Sequence, residues 1–195
     1  MFKKSLTVVI LGLLLVGTAL SADRYQIDPV HSSIAFSVRH MVINKVKGNF
    51  KEFTGTILYD EKDISKSSVS VTIQAASIDT DNSKRDDHLR SADFFDVQKY
   101  PTITFKSKRI VKEGDGYVAI GDLTMHGVTR EVRIPFQILG KVVDPWGNTR
   151  IGVEASLILN RHDFGISWSK TLDNGGLVVG NEVMIELNIE AIKQK

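Results

Sequence analysis

The sequence predicts an all-β domain of antiparallel strands with one short helix. Three observations support this prediction. Apolar and polar side chains alternate along most of the chain, which is typical of antiparallel sheets with one buried and one solvated face. Turn signals separate several of these stretches, such as "EGDG" at 113–116 and "DPWGN" at 144–148. Only one segment has a helical signature, so the strands must cover each other as a closed barrel or as a sandwich.

Eight strands are predicted, about the number with which a barrel encloses side chains or one small ligand. They are rich in β-branched and aromatic residues. We place them at residues 32–40, 47–60, 67–79, 102–112, 116–126, 129–140, 149–160 and 180–193. Their apolar rows, such as Ile34, Phe36 and Val38 in the first strand, define the predicted interior.

One helix is predicted between the third and fourth strands. Ser83 followed three residues later by Asp86 resembles a capping box, and Pro101 marks the return to extended chain. We place the helix near 83–91, with an irregular segment after it. A second proline, Pro135, lies inside the sixth strand. Because proline lacks an N–H group, we expect the wall to be kinked or open there.

The first residues have the pattern of a secretory signal peptide. Lys3 and Lys4 form a basic start, an apolar run follows from Leu6 to Leu20, and the small residues Ala19, Ser21 and Ala22 precede a polar stretch. The candidate cleavage positions are these three residues, of which we favour Ala22. The run is shorter than the ~20 residues of a membrane-spanning helix. We therefore expect a signal peptide at 1–22, a single domain at 23–195 and a periplasmic location, with no integral membrane segment after cleavage.

Charge and cysteine content narrow the function classes further. The chain has 25 basic and 23 acidic residues, and removal of Lys3 and Lys4 with the leader would balance the two signs. This balance argues against nucleic acid and against an anionic membrane surface as partners. The chain has no cysteine, so its core must stabilise it without disulfides.

The histidines do not form a recognisable metal or catalytic motif. His40 continues the inward row of the first strand, where it could contact the polar head of a ligand or close the barrel end. His31 lies nine residues away with the opposite parity, and no HxH, HExxH, Walker or G-x-S-x-G pattern occurs. We predict no catalytic residues, no metal ligands and no cofactor.

Several segments together resemble one known family. They are "YQIDPVHSSIAFSVRHM", "VKGNFKEFTGTILYD", "DDHLRSADFFDVQKYPTITFKS", "GDLTMHGVTREV" and "RHDFG", in that order. The chain from Tyr25 onward is similar to the YceI-like family of bacterial periplasmic lipid-binding proteins. The resemblance implies a lipocalin-like, eight-stranded antiparallel β-barrel with a short helical insertion between strands 3 and 4. It also implies a non-catalytic carrier for a long-chain polyisoprenoid or related amphiphile, sometimes as a homodimer.

The interior rows and the aromatic residues supply the predicted ligand-binding set. The resemblance implies that these residues form a hollow interior with an apolar lining that holds the lipid, with His40 and Arg39 near its head group. The set is Ile34, Phe36, Val38, His40, Phe53, Val71, Ile73, Phe105, Ile134, Phe136, Val153, Leu157, Phe164 and Trp168. Two alternatives stay open: an enzyme acting on a bound lipid or quinone, and a stress-linked interaction protein with a filled core.

Overall fold

A computed structural model describes residues 22–173 and 175–195. The predicted signal peptide lies outside the described residues except for Ala22. The strands are β1 (Asp23–Ile27), β2 (Ser33–His40), β3 (Asn44–Phe50), β4 (Phe53–Tyr59), β5 (Ser68–Gln74), β6 (Ile78–Asp79), β7 (Thr102–Glu113), β8 (Gly116–Met125), β9 (Val128–Val143), β10 (Thr149–Asn160) and β11 (Val179–Lys193). The helix α1 spans Ser83–Arg90, and short 3-10 turns occupy Ile64–Lys66, Ala75–Ser77 and Arg161–Phe164.

These strands form one closed antiparallel barrel. We call each of the eight positions around the barrel wall a stave. Each of the first three staves is formed by two consecutive strands with a break between them: β1 and β2, β3 and β4, and β5 and β6. The pairing runs β1-β4-β5-β7-β8-β9-β10-β11, and β11 pairs with both β1 and β2, which closes the circle. The predicted eight-stranded barrel is therefore confirmed, and the sandwich alternative is not observed.

The strand predictions agree closely with the structure, with one omission. The first predicted strand begins at residue 32, but the chain is already extended at Asp23–Ile27, where β1 pairs with β4 and β11. The third predicted strand is interrupted by the 3-10 turn Ala75–Ser77. A break of this kind depends on the partner strands, since the alternating pattern runs through it.

The helix is attached to the barrel mainly by hydrogen bonds, and Leu89 is its one apolar residue, packed against the core. Its N-cap is Asn82, whose side chain accepts from the Arg85 N–H at 3.0 Å. Asp86, only 5% exposed, accepts from both the backbone N–H and the hydroxyl of Thr80. Arg90 donates to the carbonyl oxygens of Ala76 and Ile78 at 2.7 and 2.8 Å. The helix therefore hydrogen-bonds to backbone and side-chain groups of residues 76–80, where the third stave is interrupted.

The two ends of the barrel differ. At the helix end lie the β2–β3 and β8–β9 connections, α1, and the long 161–178 connection; at the turn end lie the β4–β5, β7–β8 and β9–β10 connections. At the helix end, Phe95 packs edge-on against Phe50 with ring centroids 5.8 Å apart. At the turn end, Tyr25 is 1% exposed and packs against Tyr59 at 6.4 Å. Aromatic side chains thus occupy both ends.

Candidate functional site: an apolar cavity and a seam in the barrel wall

The barrel interior contains a cavity with an apolar lining. Its volume is about 200 Å³. Residues from both halves of the barrel line it: Ile27, Ile34, Phe50, Ile57, Val69, Val71, Ile73, Ile103, Phe105, Ile110, Ala119, Leu123, Met125, Ile134, Phe136, Val153, Ala155, Leu157, Leu159, Ile185, Leu187 and Ile189. The barrel is hollow, so the filled-core alternative does not describe this structure.

The chemistry of this lining is that of a hydrocarbon solvent. Among the residues that the structure describes, the wall includes no titratable side chain and no hydroxyl or amide side chain. Such a surface binds by removing apolar groups from water and by close packing. None of these lining side chains can accept or donate a proton or stabilise a developing charge, which are the roles that side chains take in acid–base catalysis.

Eight of the fourteen predicted ligand-binding residues line the cavity. They are Ile34, Val71, Ile73, Phe105, Ile134, Phe136, Val153 and Leu157. Alternation along each strand was the signal that indicated them. The same signal extends to wall residues outside the predicted set, such as Val69, Leu159 and Ile189. It fails for β8, because Val118 and Ile120 are buried as well as Ala119, so the strand has no polar face to mark its orientation.

The other six predicted residues lie outside the cavity lining. Phe36 packs on Phe50 with ring centroids 5.9 Å apart, nearer the helix end than Ile34. Phe53 is buried in the core. Val38 and His40 lie half-buried towards the end of β2. The remaining two, Phe164 and Trp168, belong to the 161–178 connection.

The two aromatic residues of that connection have different surroundings. Phe164 is 2% exposed and joins the core cluster. Trp168 lies in an aromatic group with His88 of α1 and Phe94, with centroid distances of 5.0 and 5.2 Å. The connection thus packs against the helical insertion at one end and reaches into the barrel at the other.

A seam opens in the wall between β9 and β10. Their pairing runs from Thr149–Val143 to Ala155–Phe136 and then stops. Beyond it, Val128–Pro135 of β9 pairs with β8 alone, and Ser156–Asn160 of β10 pairs with β11 alone. The stop coincides with Pro135, which has no N–H to donate across the gap. The expected opening of the wall at Pro135 is confirmed.

A surface groove lies over the start of this seam. Its volume is about 440 Å³, and it is formed by three neighbouring strands: Glu113, Gly116, Tyr117, Val118, Pro135, Phe136, Gln137, Glu154, Ala155 and Ser156. Phe136 and Ala155 belong both to this groove and to the cavity lining. The ring of Phe136 packs on Tyr117 with centroids 5.5 Å apart. Phe136 and Ala155, which still pair with each other across β9 and β10, therefore lie between the groove and the interior.

The far part of the seam is covered by the 3-10 turn Arg161–Phe164. Arg161 is 5% exposed and donates to the carbonyl oxygens of Gly180 and Ile166 at 2.9 and 2.8 Å; burial lowers the pKa of its guanidinium. From β9, Arg130 donates to the carbonyl oxygen of Asp163 at 3.1 Å. A ring nitrogen of His126 lies 3.2 Å from the carbonyl oxygen of Phe164. The turn is thus tied to both sides of the seam.

One polar cluster at the turn end has the residue types of a metal site. Ligand atoms of Asp28, His31 and Glu190 lie within 4.8 Å of one another. The guanidinium of Arg150 already donates to both carboxylates, and so a cation of the protein itself is present there. This cluster is explained as an ion-pair network that joins β10 and β11 to the break between β1 and β2.

Known proteins share both the sequence and the architecture of this chain. No helix among the described residues has the length and apolar content needed to cross a bilayer. A UPF0312 protein of Serratia proteamaculans is 39% identical over 199 residues, covering 100% of both chains. Burkholderia cenocepacia BcnA has the same fold, with a TM-score of 0.74 at 24% identity, over 84% of this chain and 98% of that one.

A second solved structure also shares the fold. It is a polyisoprenoid binding domain from Saccharophagus degradans, with a TM-score of 0.63 at 16% identity, over 87% of this chain and 98% of that domain. The YceI-like domain family matches residues 25–191, which span the barrel from β1 to the closing strand. With that match and the full-length relative, the chain belongs to the YceI-like family.

Proposed function

We propose that this chain binds the tail of a long-chain isoprenoid or related amphiphilic lipid inside its barrel and carries it without chemical change. The observation that carries the proposal is the apolar lining of the interior cavity. Burying a methylene group is worth about 0.8 kcal/mol, so even a short alkyl segment gains several kcal/mol against the cost of ordering it. The polyisoprenoid binding domain of Saccharophagus degradans, which has the same fold, supports this ligand class.

The cavity volume limits how a long tail is held. At about 200 Å³, the cavity is smaller than the roughly 300–1,000 Å³ of usual ligand pockets. A long chain therefore needs wall side chains to change rotamer, or it extends beyond the cavity. We expect the tail segment nearest the seam between β9 and β10 to be bound most tightly. We also expect the shape of the tail to be the main determinant of which lipid binds.

The site of action follows from the proposed leader. We propose that residues 1–22 are removed on export and that residues 23–195 act in the periplasm. Intact-mass measurement of the exported protein tests this, since cleavage after Ala22 leaves Asp23 at the N-terminus. Sedimentation of the same preparation tests whether the exported protein is a homodimer.

The decisive experiment is native mass spectrometry of the protein purified from its own periplasm, followed by organic extraction. We expect a discrete added mass that releases an isoprenoid or a fatty amphiphile. A bare polypeptide mass that stays bare after incubation with such lipids would overturn the proposal. Release of a chemically altered lipid during incubation would instead favour the enzyme alternative.

A further inference from the structure

We propose that the lipid enters the barrel sideways through the seam between β9 and β10, and that its head group rests in the groove formed by Glu113, Gln137, Glu154 and Ser156. This site selects heads that donate hydrogen bonds, such as an alcohol, an amide or an amine, and disfavours a phosphate. The inference rests on the proposed function and names the head-group class for it.

Beyond the Ala155–Phe136 pair, β9 and β10 can part without loss of strand pairing. Elsewhere in the barrel, parting two strands breaks paired backbone hydrogen bonds, which are expensive to leave unmade. Between Val128–Pro135 and Ser156–Asn160 these two strands do not pair with each other. Pro135 removes one donor from that edge altogether. The Arg161–Phe164 turn is tied across the far part of the seam by the hydrogen bond from Arg130 to Asp163, so a tail can pass at the lowest cost at the Pro135 end of the seam.

The groove on the outside of the barrel and the cavity inside share part of their lining. Both barrel ends are occupied by aromatic side chains, Phe50 with Phe95 at one and Tyr25 with Tyr59 at the other. The groove shares Phe136 with the cavity lining. It also shares Ala155, whose side chain is small. A tail that enters the barrel here therefore passes beside Phe136 and Ala155.

The groove has polar side chains that can contact a lipid head group. The groove presents carboxylate oxygens from Glu113 and Glu154, the amide of Gln137 and the hydroxyl of Ser156. Arg133 donates to Glu113 at 2.6 Å and neutralises it, whereas Glu154 forms no ion pair with any residue that the structure describes. Hydroxyl and amine heads find acceptors here. A phosphate faces an uncompensated carboxylate, and like charges placed together are strongly unfavourable.

A disulfide across the seam tests the route. The chain has no cysteine, so any thiol is introduced by design. Extending the observed register by one residue places Pro135 opposite Ser156. We expect oxidised Pro135→Cys/Ser156→Cys to take up dodecanol on the order of tenfold more slowly than wild type, as expected for a closed gate, and reduction to restore the rate. The matched control, Thr72→Cys/Thr104→Cys, staples two strands that are already paired and should load normally when oxidised.

The route is overturned if the oxidised seam variant loads as fast as its reduced form. It is also overturned if the control disulfide slows loading to the same extent, because the effect would then come from general stiffening. The single variant Pro135→Cys, measured under reducing conditions, separates the loss of proline from the crosslink.

Three probes with the same tail test the head-group preference: dodecanol, dodecylamine and dodecyl phosphate. We expect the alcohol and the amine to bind about tenfold or more tightly than the phosphate, given the cost of like charges. Glu154→Gln should reduce this affinity gap between the alcohol or amine and the phosphate several-fold. Glu182→Gln, which changes an exposed carboxylate on β11 with no ion-pair partner among the described residues, should leave the gap unchanged.

The outcomes separate the inference from the proposed function. If none of the three probes binds, the cavity does not hold tails and the proposed function fails with the inference. If all three bind equally, or the phosphate binds best, the proposed function stands and the head-group assignment is overturned. A gap that Glu182→Gln narrows as much as Glu154→Gln reflects overall charge and also overturns the assignment.

Discussion

Arg150 donates a hydrogen bond of 2.8 Å from Nη1 to Oδ2 of Asp28, 122 positions apart in the chain. The same carboxylate oxygen contacts Nδ1 of His31 at 2.8 Å. Arg150 also donates to Asp144 in the β9–β10 turn and to Glu190 of β11. Four elements are thus joined where the first stave of the barrel breaks, so we expect this network to stabilise the closed barrel.

The network predicts a specific acid sensitivity. The hydrogen bonds from His31 and then from Arg150 outweigh burial and lower the pKa of Asp28 from 3.8 to about 2. Since folding lowers this pKa, the stabilisation is fully present above pH 3.8 and is lost as the pH falls through about 2. We expect Asp28→Asn to lower the Tm by several degrees at pH 7, with the difference from wild type shrinking between pH 4 and pH 2. Thermal unfolding followed by circular dichroism measures this.

The control for that experiment is Asp115→Asn, in the exposed turn between β7 and β8. Its Tm should follow wild type at every pH. An Asp28→Asn variant whose deficit persists unchanged at pH 2 would show that packing, and not ionisation, is responsible.

The attachment of α1 can be tested at one residue. Asp86→Ala leaves the N–H and the hydroxyl of Thr80 without their acceptor in a buried place. We expect it to cost about 1–3 kcal/mol in the free energy of unfolding, measured by urea denaturation. Asp87→Ala changes a neighbouring carboxylate that is 77% exposed and should cost little. Equal effects of the two changes would contradict the role given to Asp86.

Cavity size should determine which tails are held. Ala119 is buried and lines the cavity, so Ala119→Leu should occupy part of it, at about 1–3 kcal/mol from overpacking, and shift preference to shorter tails. Leu123→Ala should enlarge the cavity at about 2–5 kcal/mol and shift preference to longer ones. Affinities across a series of straight-chain alcohols measure both shifts. Identical length profiles for the two variants would mean that tails bind elsewhere.

The two ends of β2 provide a test of which interior residues contact cargo. His40 lies half-buried at the end of the strand, away from the cavity lining, so His40→Ala should leave lipid retention unchanged within a factor of about two. Ile34 lines the cavity. Ile34→Asn replaces an apolar side chain with an amide that has no hydrogen-bond partner in the cavity, so it should reduce lipid retention about tenfold. Loss of cargo from a folded His40→Ala protein would restore His40 as a head-group contact.

Local sequence was enough for most of the barrel. A period of two is a property of neighbouring residues, so alternation indicated the inward rows of Ile34, Val71, Ile134 and Leu157 before any strand partner was known. The position of the helix could be predicted from its polar first turn and from Pro101, after which the chain returns to strand. The predicted capping box of Ser83 and Asp86 was wrong, because Asn82 is the N-cap and Asp86 accepts from Thr80 instead. A missing N–H is local as well, which is why Pro135 marked the opening in the wall.

Tertiary structure decided which inward residues meet the cavity and which close it. Phe36 and Ile34 share one face of β2, yet only Ile34 lines the cavity, because Phe36 lies nearer the helix end and packs on Phe50 there. The breaks at 28–32 and 75–77 and the buried position of Arg161 likewise depend on partners far away in the chain. Strand pairing and side-chain volume are long-range quantities, so the sequence alone determined a barrel with an apolar interior, and only the fold decided where that interior is hollow and where its wall parts.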